Sequence, residues 1–259
     1  MTFFAEERAV SPVLGGILMF GLAASLLILT QVSVVPAANQ QVEFEHNLGV
    51  QEDFERFQGS TTRVAASGAT ETVDIELGTR YPNRFFLVNP APASGTLSTE
   101  PSTITISNVK ATNTETAEYF ASLDTPHTLE YDTNSLIYEP NYRQYGNAPR
   151  TVYENGLIYN QYDGDVTLLT SATPIVSDGD IRLVLLDGAL NEQGTALRSL
   201  DLVAASAPAT KLSVTPSGPD PMTMTLPTYL PESEWLEAFG SQPNVDLDYT
   251  TSAGSGPST

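Results

Sequence analysis

An uncharged apolar run near the N-terminus is the strongest pattern in the chain. It extends over 22 residues from Ala9 to Thr30, directly after Arg8, and the next acidic residue is Glu43. At 1.5 Å per residue, a helix of this length measures about 33 Å, which matches the hydrocarbon core of a bilayer. The run therefore predicts a transmembrane helix over residues 9–35, preceded by a short leader over residues 1–8.

A cleaved secretory signal is the main alternative for this segment. The residues Val35-Pro36-Ala37 are small or apolar, as signal peptidase requires near its cleavage site. Signal peptides, however, have an apolar core of about 7–15 residues and a basic leader. Because this run is longer and its leader is acidic, a retained span is the preferred interpretation.

Helical spacing continues beyond the apolar run. We expect Pro36 to bend or end the first helix at the membrane interface, because proline lacks an N–H group. Bulky positions then recur every three or four residues, at Val50, Phe54, Phe57, Thr61 and Val64. This period is typical of an amphipathic helix that docks one face on a neighbouring element. The pattern predicts such a helix over residues 37–67.

From Glu71 onward the pattern changes to short segments typical of β-strands. They lie at 72–77, 85–88, 103–107, 136–138, 156–159, 166–169, 181–186, 200–203, 211–214, 222–226 and 245–249. Turn residues separate them, notably in the Pro-rich stretches 90–101 and 216–221. Many short strands without helices between them indicate an antiparallel sandwich.

The expected fold class is therefore α+β, mainly β. The transmembrane helix and its amphipathic extension precede a β-sandwich-like extracellular domain over residues 71–250. A short helix is predicted over residues 231–239, with Pro231 in its first turn. Residues 251–259 consist of Gly, Ser, Thr, Pro and Ala, and are expected to form a disordered tail.

The composition limits the partners and the environment. The chain has 31 acidic and 11 basic residues, a net charge of −20, and two lysines, Lys110 and Lys211. Such a surface repels polyanions, so nucleic acid is not an expected partner. An ordinary acidic extracellular domain and a protein adapted to multimolar salt both have this excess. The scarcity of lysine favours the halophilic interpretation, because 1 M salt screens carboxylate repulsion within about 3 Å.

Cysteine is absent from the chain. This excludes disulfide bonds, thiolate metal sites, a cysteine nucleophile and thioether lipid anchors.

Small residues lie four positions apart within the apolar run. Ser11 pairs with Gly15 in this way, and Gly21 pairs with Ser25. Such pairs let helices approach closely in lipid. They fall on different faces of a helix, which indicates several neighbouring helices rather than one dimer seam. The alternative is that Gly and Ser are simply common in membrane helices.

The start of the run also resembles a known motif. Arg8 is followed by Ala-Val-Ser-Pro-Val-Leu-Gly over residues 9–15 and by Ile-Leu-Met over residues 17–19. This segment is similar to the N-terminus of archaeal, especially haloarchaeal, type IV pilins and pilin-like proteins. The resemblance implies that a prepilin-type peptidase cleaves between Arg8 and Ala9. It also implies a cytoplasmic N-terminus, and a helix that anchors the subunit and then packs with other pilin-like subunits.

Seven of the 11 tyrosines lie within residues 131–162. Exposed tyrosines offer flat, amphipathic contact area to glycans or proteins. Packing of the rings across neighbouring strands is the favoured alternative. Tyr142 and Tyr145 lie near Pro140 and Gly146, and they are the tyrosines expected to be exposed and available for ligand contact.

Two acidic clusters are weak candidates for Ca²⁺ sites. Asp163 and Asp165 flank a glycine, and Asp178 and Asp180 flank another. Their carboxylates are suitable ligands for Ca²⁺, but the spacing differs from that of an EF-hand loop. Asp-Gly is also a common turn dipeptide, so turns are favoured. No metal or other cofactor is expected.

Candidate catalytic residues are few. The histidines are His46 and His127, and the cluster Ser122, Asp124 and His127 is too local for a triad, whose members come from separate elements. Serine-hydrolase, zinc-protease, phosphate-loop and dinucleotide motifs are absent. The sequence therefore predicts a protein without enzymatic activity.

These patterns lead to two main hypotheses. In the first, the chain is a single-span, pilin-like surface protein that acts through protein–protein contacts. In the second, it is a membrane-anchored β-sandwich that binds a ligand or surface polymer through its tyrosine-rich edge. An anchored hydrolase is a weaker third hypothesis, because acidic residues are too common here to indicate a carboxylate pair.

Overall fold

A computed structural model describes residues 7–120, 127–163, 166–177, 180–205, 211–239 and 246–248. Several sequence predictions lie outside the described residues: the tail over 251–259, the aspartates Asp165 and Asp178, and the cluster residues Ser122 and Asp124.

One continuous helical segment forms the N-terminal part of the chain. It comprises α1 (Glu7–Leu29), a π-helical turn (Thr30–Val34) and α2 (Val35–Ser67). In the π turn, the N–H of Val35 donates to the carbonyl of Thr30, five residues earlier. Pro36 has no N–H to donate, and this wider turn accommodates the loss, so the helix continues through the proline. The helix ends at Gly68, whose φ of 71° is left-handed.

Twelve strands and two further helices follow in the described residues. The strands are β1 (Glu71–Glu76), β2 (Ser94–Ala111), β3 (His127–Asn141), β4 (Arg150–Glu154), β5 (Leu157–Tyr162), β6 (Val166–Ala172), β7 (Val176–Ser177), β8 (Asp180–Ile181), β9 (Asn191–Gly194), β10 (Leu197–Leu202), β11 (Val214–Pro216) and β12 (Thr223–Thr225). The helices are α3 (Thr114–Phe120) and α4 (Glu232–Phe239). The prediction of a short helix near residues 231–239 is confirmed.

The strand pairings are antiparallel. The main sheet has the order β11-β2-β3-β4-β5-β6, and β9 and β12 also pair with β2. The strands β1 and β10 form a separate two-stranded ribbon, and β7 pairs with β8. A long N-terminal helix followed by an antiparallel, β-rich region confirms the predicted α+β class at this level.

Strand β2 is longer than the sequence suggested, because it includes Pro101 from the predicted turn region. The N–H of Thr99 donates to the carbonyl of Leu190 at 2.9 Å, on the edge of β2 away from β3. Backbone groups two residues apart point to the same side, so the nitrogen of Pro101 also faces that edge. Pro101 lies between the segment of β2 that pairs with β9 and the segment that pairs with β12. No described strand pairs with this edge at Pro101, so its missing N–H costs no hydrogen bond.

Two predicted strands are wrong, and of a third, 211–214, only Val214 lies in a strand. Residues 85–88 form an exposed turn instead of a buried strand. Only Ile181 of the predicted strand 181–186 lies in a strand. The side chains of β3 take the place of a strand partner for Leu186: its N–H donates to Thr133 Oγ1 at 3.0 Å, and its carbonyl accepts from Asn134 Nδ2 at 3.0 Å. Of another predicted strand, residues 246–248 are irregular.

The main sheet carries a hydrophobic cluster on each face. Neighbouring residues of one strand belong to different clusters, as Leu136 and Ile137 do, because side chains alternate between the faces. The first cluster joins the sheet to α2 and β1, through Val50, Phe54, Phe57, Val73, Ile75 and Leu77. The second lies beneath the C-terminal segments, through Ile175, Leu230 and Phe239. Helix α2 is therefore part of the folded domain.

Candidate functional site

The long helix is largely uncovered over residues 12–34. Its large apolar side chains from Val13 to Leu29 are between 48% and 78% exposed. Within the described residues, this helix is the one long and apolar enough to cross a membrane, judged by length and composition. Because water-exposed apolar surface of this size is costly for a soluble protein, the segment is a candidate for contact with lipid or with other helices.

Three of the predicted close-packing positions, Gly15, Gly21 and Ser25, lie on this uncovered segment. A Cβ atom added to Gly15 or Gly21 would meet no atom within 4 Å. The hydroxyl of Ser25 donates to the carbonyl of Gly21 at 2.8 Å, within the helix. Ser11 also lies in α1, as do Arg8 and Ala9 of the predicted cleavage site. Their roles in packing and processing stay predictions.

The buried carboxylate of Glu43 fastens the helix to the β-domain just beyond the apolar segment. Its Oε1 accepts from the backbone N–H of Arg143 at 2.9 Å and from the hydroxyl of Tyr81. Its Oε2 accepts from the backbone N–H groups of Gln144 at 2.7 Å and Tyr145 at 2.6 Å. We call this arrangement the Glu43 junction. Charged acceptors make stronger hydrogen bonds than neutral ones, so the junction rigidly fixes the direction in which the helix leaves the domain.

Further polar contacts continue along the same helix face. His46 Nδ1 lies 2.6 Å from the hydroxyl of Tyr142, and burial lowers the pKa of His46 while Glu76 opposes this effect. Asp53 Oδ2 accepts from the backbone N–H of Glu76 at 3.1 Å.

Further along, Gln58 Nε2 donates to the carbonyl of Gly156 at 2.7 Å. The hydroxyls of Thr61 and Tyr153 lie 3.3 Å apart. These contacts join α2 to strands from several parts of the sheet, so the helix and the domain form one unit.

The sequence pattern predicts only the apolar part of the α2 face that contacts the β-domain. In the sequence, Glu43 is the first acid after the apolar run, and nothing in its immediate neighbours marks it as a buried acceptor. Asn39, Glu43, His46 and Val50 nevertheless lie three or four residues apart, and all four are buried. Asn39, Glu43 and His46 continue the predicted stripe toward α1 with polar side chains, and that spacing is the signal that could reveal the junction.

Three of the seven clustered tyrosines are buried in the core, and the other four are half-buried. The buried rings are Tyr138, Tyr153 and Tyr159, as expected for core-facing side chains, and Tyr153 packs edge-on against Phe57 of α2 with ring centroids 5.2 Å apart. Tyr142 and Tyr145 are half-buried rather than exposed as predicted, and their stacked rings have centroids 6.3 Å apart. The reason is the Glu43 junction, which draws the segment after β3 onto the helix. Ligand contact through these two residues stays a prediction.

The candidate Ca²⁺ residues that are described lie at the surface. Asp163 is exposed in a turn, and Asp180 forms an ion pair with Lys211 at 2.8 Å. Among the residues the structure describes, no group of three or more His, Asp or Glu side chains could hold a metal ion. His127 stacks on Phe120, with ring centroids 5.0 Å apart.

Comparisons with known proteins give one relative of unknown role. No family model matches the chain, and no solved structure matches it. An uncharacterised protein from Archaeoglobus fulgidus is 26% identical over 191 residues. The aligned region is 73% of this chain and 31% of that protein, so the chain spans less than a third of this relative's length.

Proposed function

We propose that this chain is a single-span, pilin-like cell-surface subunit that acts through protein–protein contacts and has no enzymatic activity. One observation carries the proposal: a single helix is uncovered and apolar over α1 and built into the β-domain over α2. A subunit that assembles through its N-terminal helix needs this rigid connection, because any neighbour that packs on α1 then fixes the position of the whole domain.

The membrane topology and the source follow from the same proposal. Helix α1 spans the membrane, the N-terminus is cytoplasmic and the β-domain is extracellular. A prepilin-type peptidase removes residues 1–8, as the segment after Arg8 suggests by its resemblance to archaeal pilins. The charge of −20 with two lysines supports a halophilic archaeal source. The partners are then the membrane, the peptidase and other pilin-like subunits.

The mature N-terminus tests the processing step. We expect mass spectrometry of the chain from membranes of a haloarchaeal host to show Ala9 as the first residue. Ala9→Pro should block cleavage, whereas the same substitution in the leader, Ala5→Pro, should leave it intact. A start at Met1 or Thr2 in the unaltered chain would contradict processing. A start near Ala38 would show that the protein is secreted, and would overturn the membrane span.

Subunit packing is tested separately through the small residues of α1. If neighbouring helices approach at Gly15 and Gly21, then Gly15→Leu and Gly21→Leu should remove the chain from sheared surface filaments without changing membrane insertion. Gly16→Leu is the matched control, because Gly16 is equally open but lies about 100° around the helix from Gly15. Absence of the unaltered chain from sheared fractions would contradict filament assembly.

A membrane-anchored β-sandwich that binds a surface ligand is the second candidate function. In this proposal, the β1–β10 ribbon and the main sheet are the two layers of the sandwich. The stacked and partly exposed pair Tyr142 and Tyr145 favours it, since stacked rings suit glycan or polymer contact. Tyr145→Ala should then abolish binding of the solubilised chain to cell-surface polysaccharide. Binding that persists in this variant would exclude the pair as the contact.

A further inference from the structure

The turn between β1 and β2 exposes a cluster of large apolar side chains. We call residues 84–89 the aromatic loop. Phe85 is 89% exposed, Phe86 is 82% exposed and Val88 is 75% exposed. Phe85 and Phe86 are the two most exposed large hydrophobic residues in the described part of the chain, ahead of every described residue of α1. An apolar cluster with this exposure marks a contact surface.

Hydrogen bonds fix the aromatic loop beside the helix at the end of the apolar run. The side-chain amide of Gln31 donates to the carbonyl of Val88 at 2.8 Å and accepts from its N–H at 3.0 Å. Arg84 donates to Asn39 Oδ1 at 2.7 Å. Gln31 and Asn39 are eight residues apart, which is about 12 Å along a helix. The loop therefore runs along the helix from the level of Asn39 to that of Gln31, the residue directly after the apolar run.

The loop is braced in a conformation that keeps its rings outward. Arg84 also donates to Asn89 Oδ1 at 2.7 Å, and Asn89 Nδ2 donates to the carbonyl of Pro82 at 2.7 Å. Phe86 has a φ of 61°, a left-handed value that is rare for a bulky residue. Such backbone strain is typical of functional segments that their surroundings hold in place. The exposure of the rings is therefore built into the fold.

The sequence interval that contains the loop differs in charge from the rest of the chain. No acidic residue lies between Glu76 and Glu100, although the chain contains 31. Two arginines, Arg80 and Arg84, lie in this interval. Aromatic rings and arginines near the end of a membrane span are typical of the headgroup region, because the rings lie at the interface and the arginine heads extend into the polar layer.

We propose that the aromatic loop inserts Phe85, Phe86 and Val88 into the headgroup region of the bilayer that α1 spans. This second contact, together with the Glu43 junction, sets the height and tilt of the domain above the membrane. The inference rests on the proposed membrane span. Its occupant is lipid because Gln31 holds the loop at the level where the apolar run ends, and because the interval from Glu76 to Glu100 contains cationic but no anionic side chains between its ends.

Depth-dependent fluorescence quenching tests the insertion. The full chain carrying Trp235→Phe is reconstituted in phosphatidylcholine–phosphatidylglycerol vesicles, with one new tryptophan from Phe86→Trp, Phe20→Trp or Tyr119→Trp. Lipids brominated near the headgroup or near the chain end serve as quenchers. Tyr119 is the matched control, because it is 61% exposed but follows the far end of β2, which extends about 56 Å from Ser94.

We expect the emission of the Phe86→Trp chain to be blue-shifted and quenched most by the shallow bromines. The emission of the Phe20→Trp chain should be quenched most by the deep bromines, and that of the Tyr119→Trp chain should be unaffected by either. Adding Gln31→Ala should reduce quenching at position 86 and leave position 20 unchanged.

The outcomes separate the loop insertion from the span on which it rests. No quenching at position 20 would overturn the membrane span itself. Quenching at position 20 with a solvent-like signal at position 86 would overturn the loop insertion alone. A blue shift at position 86 without lipid quenching would assign the loop to a neighbouring subunit, and would also overturn the insertion.

Discussion

At the scale of single residues, the carboxylate of Glu43 alone accepts four hydrogen bonds that join the helix to the β-domain. Glu43→Gln replaces one acceptor oxygen by an NH₂ group that faces backbone donors, so hydrogen bonds are lost and a donor–donor contact is created. We expect the free energy of unfolding to fall by about 3 kcal/mol. Equilibrium urea unfolding of the detergent-solubilised chain, followed by circular dichroism, measures this change.

Glu45→Gln is the matched control for the Glu43 junction. Glu45 is exposed on the same helix turn, and its Oε1 accepts only from Gln41 at 2.9 Å among the described side chains. We expect this variant to change the stability by less than about 0.5 kcal/mol. Equal destabilisation by the two substitutions would show that the junction does not hold the helix in place.

Glu154 gives a second prediction at this scale, in the pH dependence of folding. Burial raises its pKa from 4.5 to about 7, against the hydrogen bond from Tyr159, and Glu100 adds to the increase. The folded state therefore retains a proton that the unfolded state loses. Glu154 contributes stability that is complete below pH 4.5 and is lost as the pH rises to about 7, a loss of up to about 3 kcal/mol.

Glu154→Gln isolates this contribution, because the amide does not titrate. We expect the unfolding free energy of the unaltered chain to decrease relative to this variant between pH 5 and pH 7. Chemical unfolding at constant high salt, with both proteins measured at each pH, gives the difference directly. A difference that stays constant over this interval would contradict the raised pKa of Glu154.

At the scale of elements, helix α2 stabilises the fold through its apolar stripe. Phe54 is fully buried between the helix and the sheet. Phe54→Ala removes this ring from a close-packed cluster, and we expect a loss of about 4 kcal/mol in unfolding free energy. Leu48→Ala is the control on the outer face, where the side chain is 43% exposed and the expected loss is below about 1 kcal/mol. Urea unfolding compares the two, and similar losses would contradict the docked stripe.

The sequence predicted the elements whose own pattern determines them. The stripe from Val50 to Val64 and the short helix α4 follow from residue spacing alone. Residues 85–88 do not, because an apolar run of four residues suits an exposed turn held by hydrogen bonds to Gln31 as well as a buried strand. Residues 181–186 fail for another reason: side chains of Thr133 and Asn134 satisfy the backbone of Leu186, and nothing within the segment reveals this tertiary contact.

The candidate site was predictable to a similar extent. The uncovered α1 follows from composition, but the Glu43 junction depends on three backbone groups about 100 residues later in the chain. A hydrophobic pattern does not detect buried polar residues on the face of α2 that packs on the β-domain. Only their spacing of three or four residues connects them to the apolar stripe.

At the scale of the whole molecule, the charge distribution determines the conditions in which the domain is stable. The chain has an excess of 20 negative charges, so most of its carboxylates have no basic partner available. The ion pairs of Arg63 with Glu71, Arg198 with Glu192 and Lys211 with Asp180 are all at the surface, where pairing contributes little. Repulsion between the remaining acids therefore opposes folding in dilute buffer.

Salt should relieve this repulsion and stabilise the fold. The screening length falls from about 10 Å at 0.1 M to about 3 Å at 1 M, so repulsion between exposed charges farther apart than this length is largely screened. We expect the thermal midpoint to rise steeply between 0.1 M and 3 M NaCl, and far-ultraviolet circular dichroism to show loss of structure in dilute buffer. Sucrose at matched water activity is the control, because it lowers water activity without screening charge. Circular dichroism that is unchanged from high salt to dilute buffer would contradict the halophilic proposal, and an equal gain in sucrose would assign the effect to solvent exclusion instead of charge.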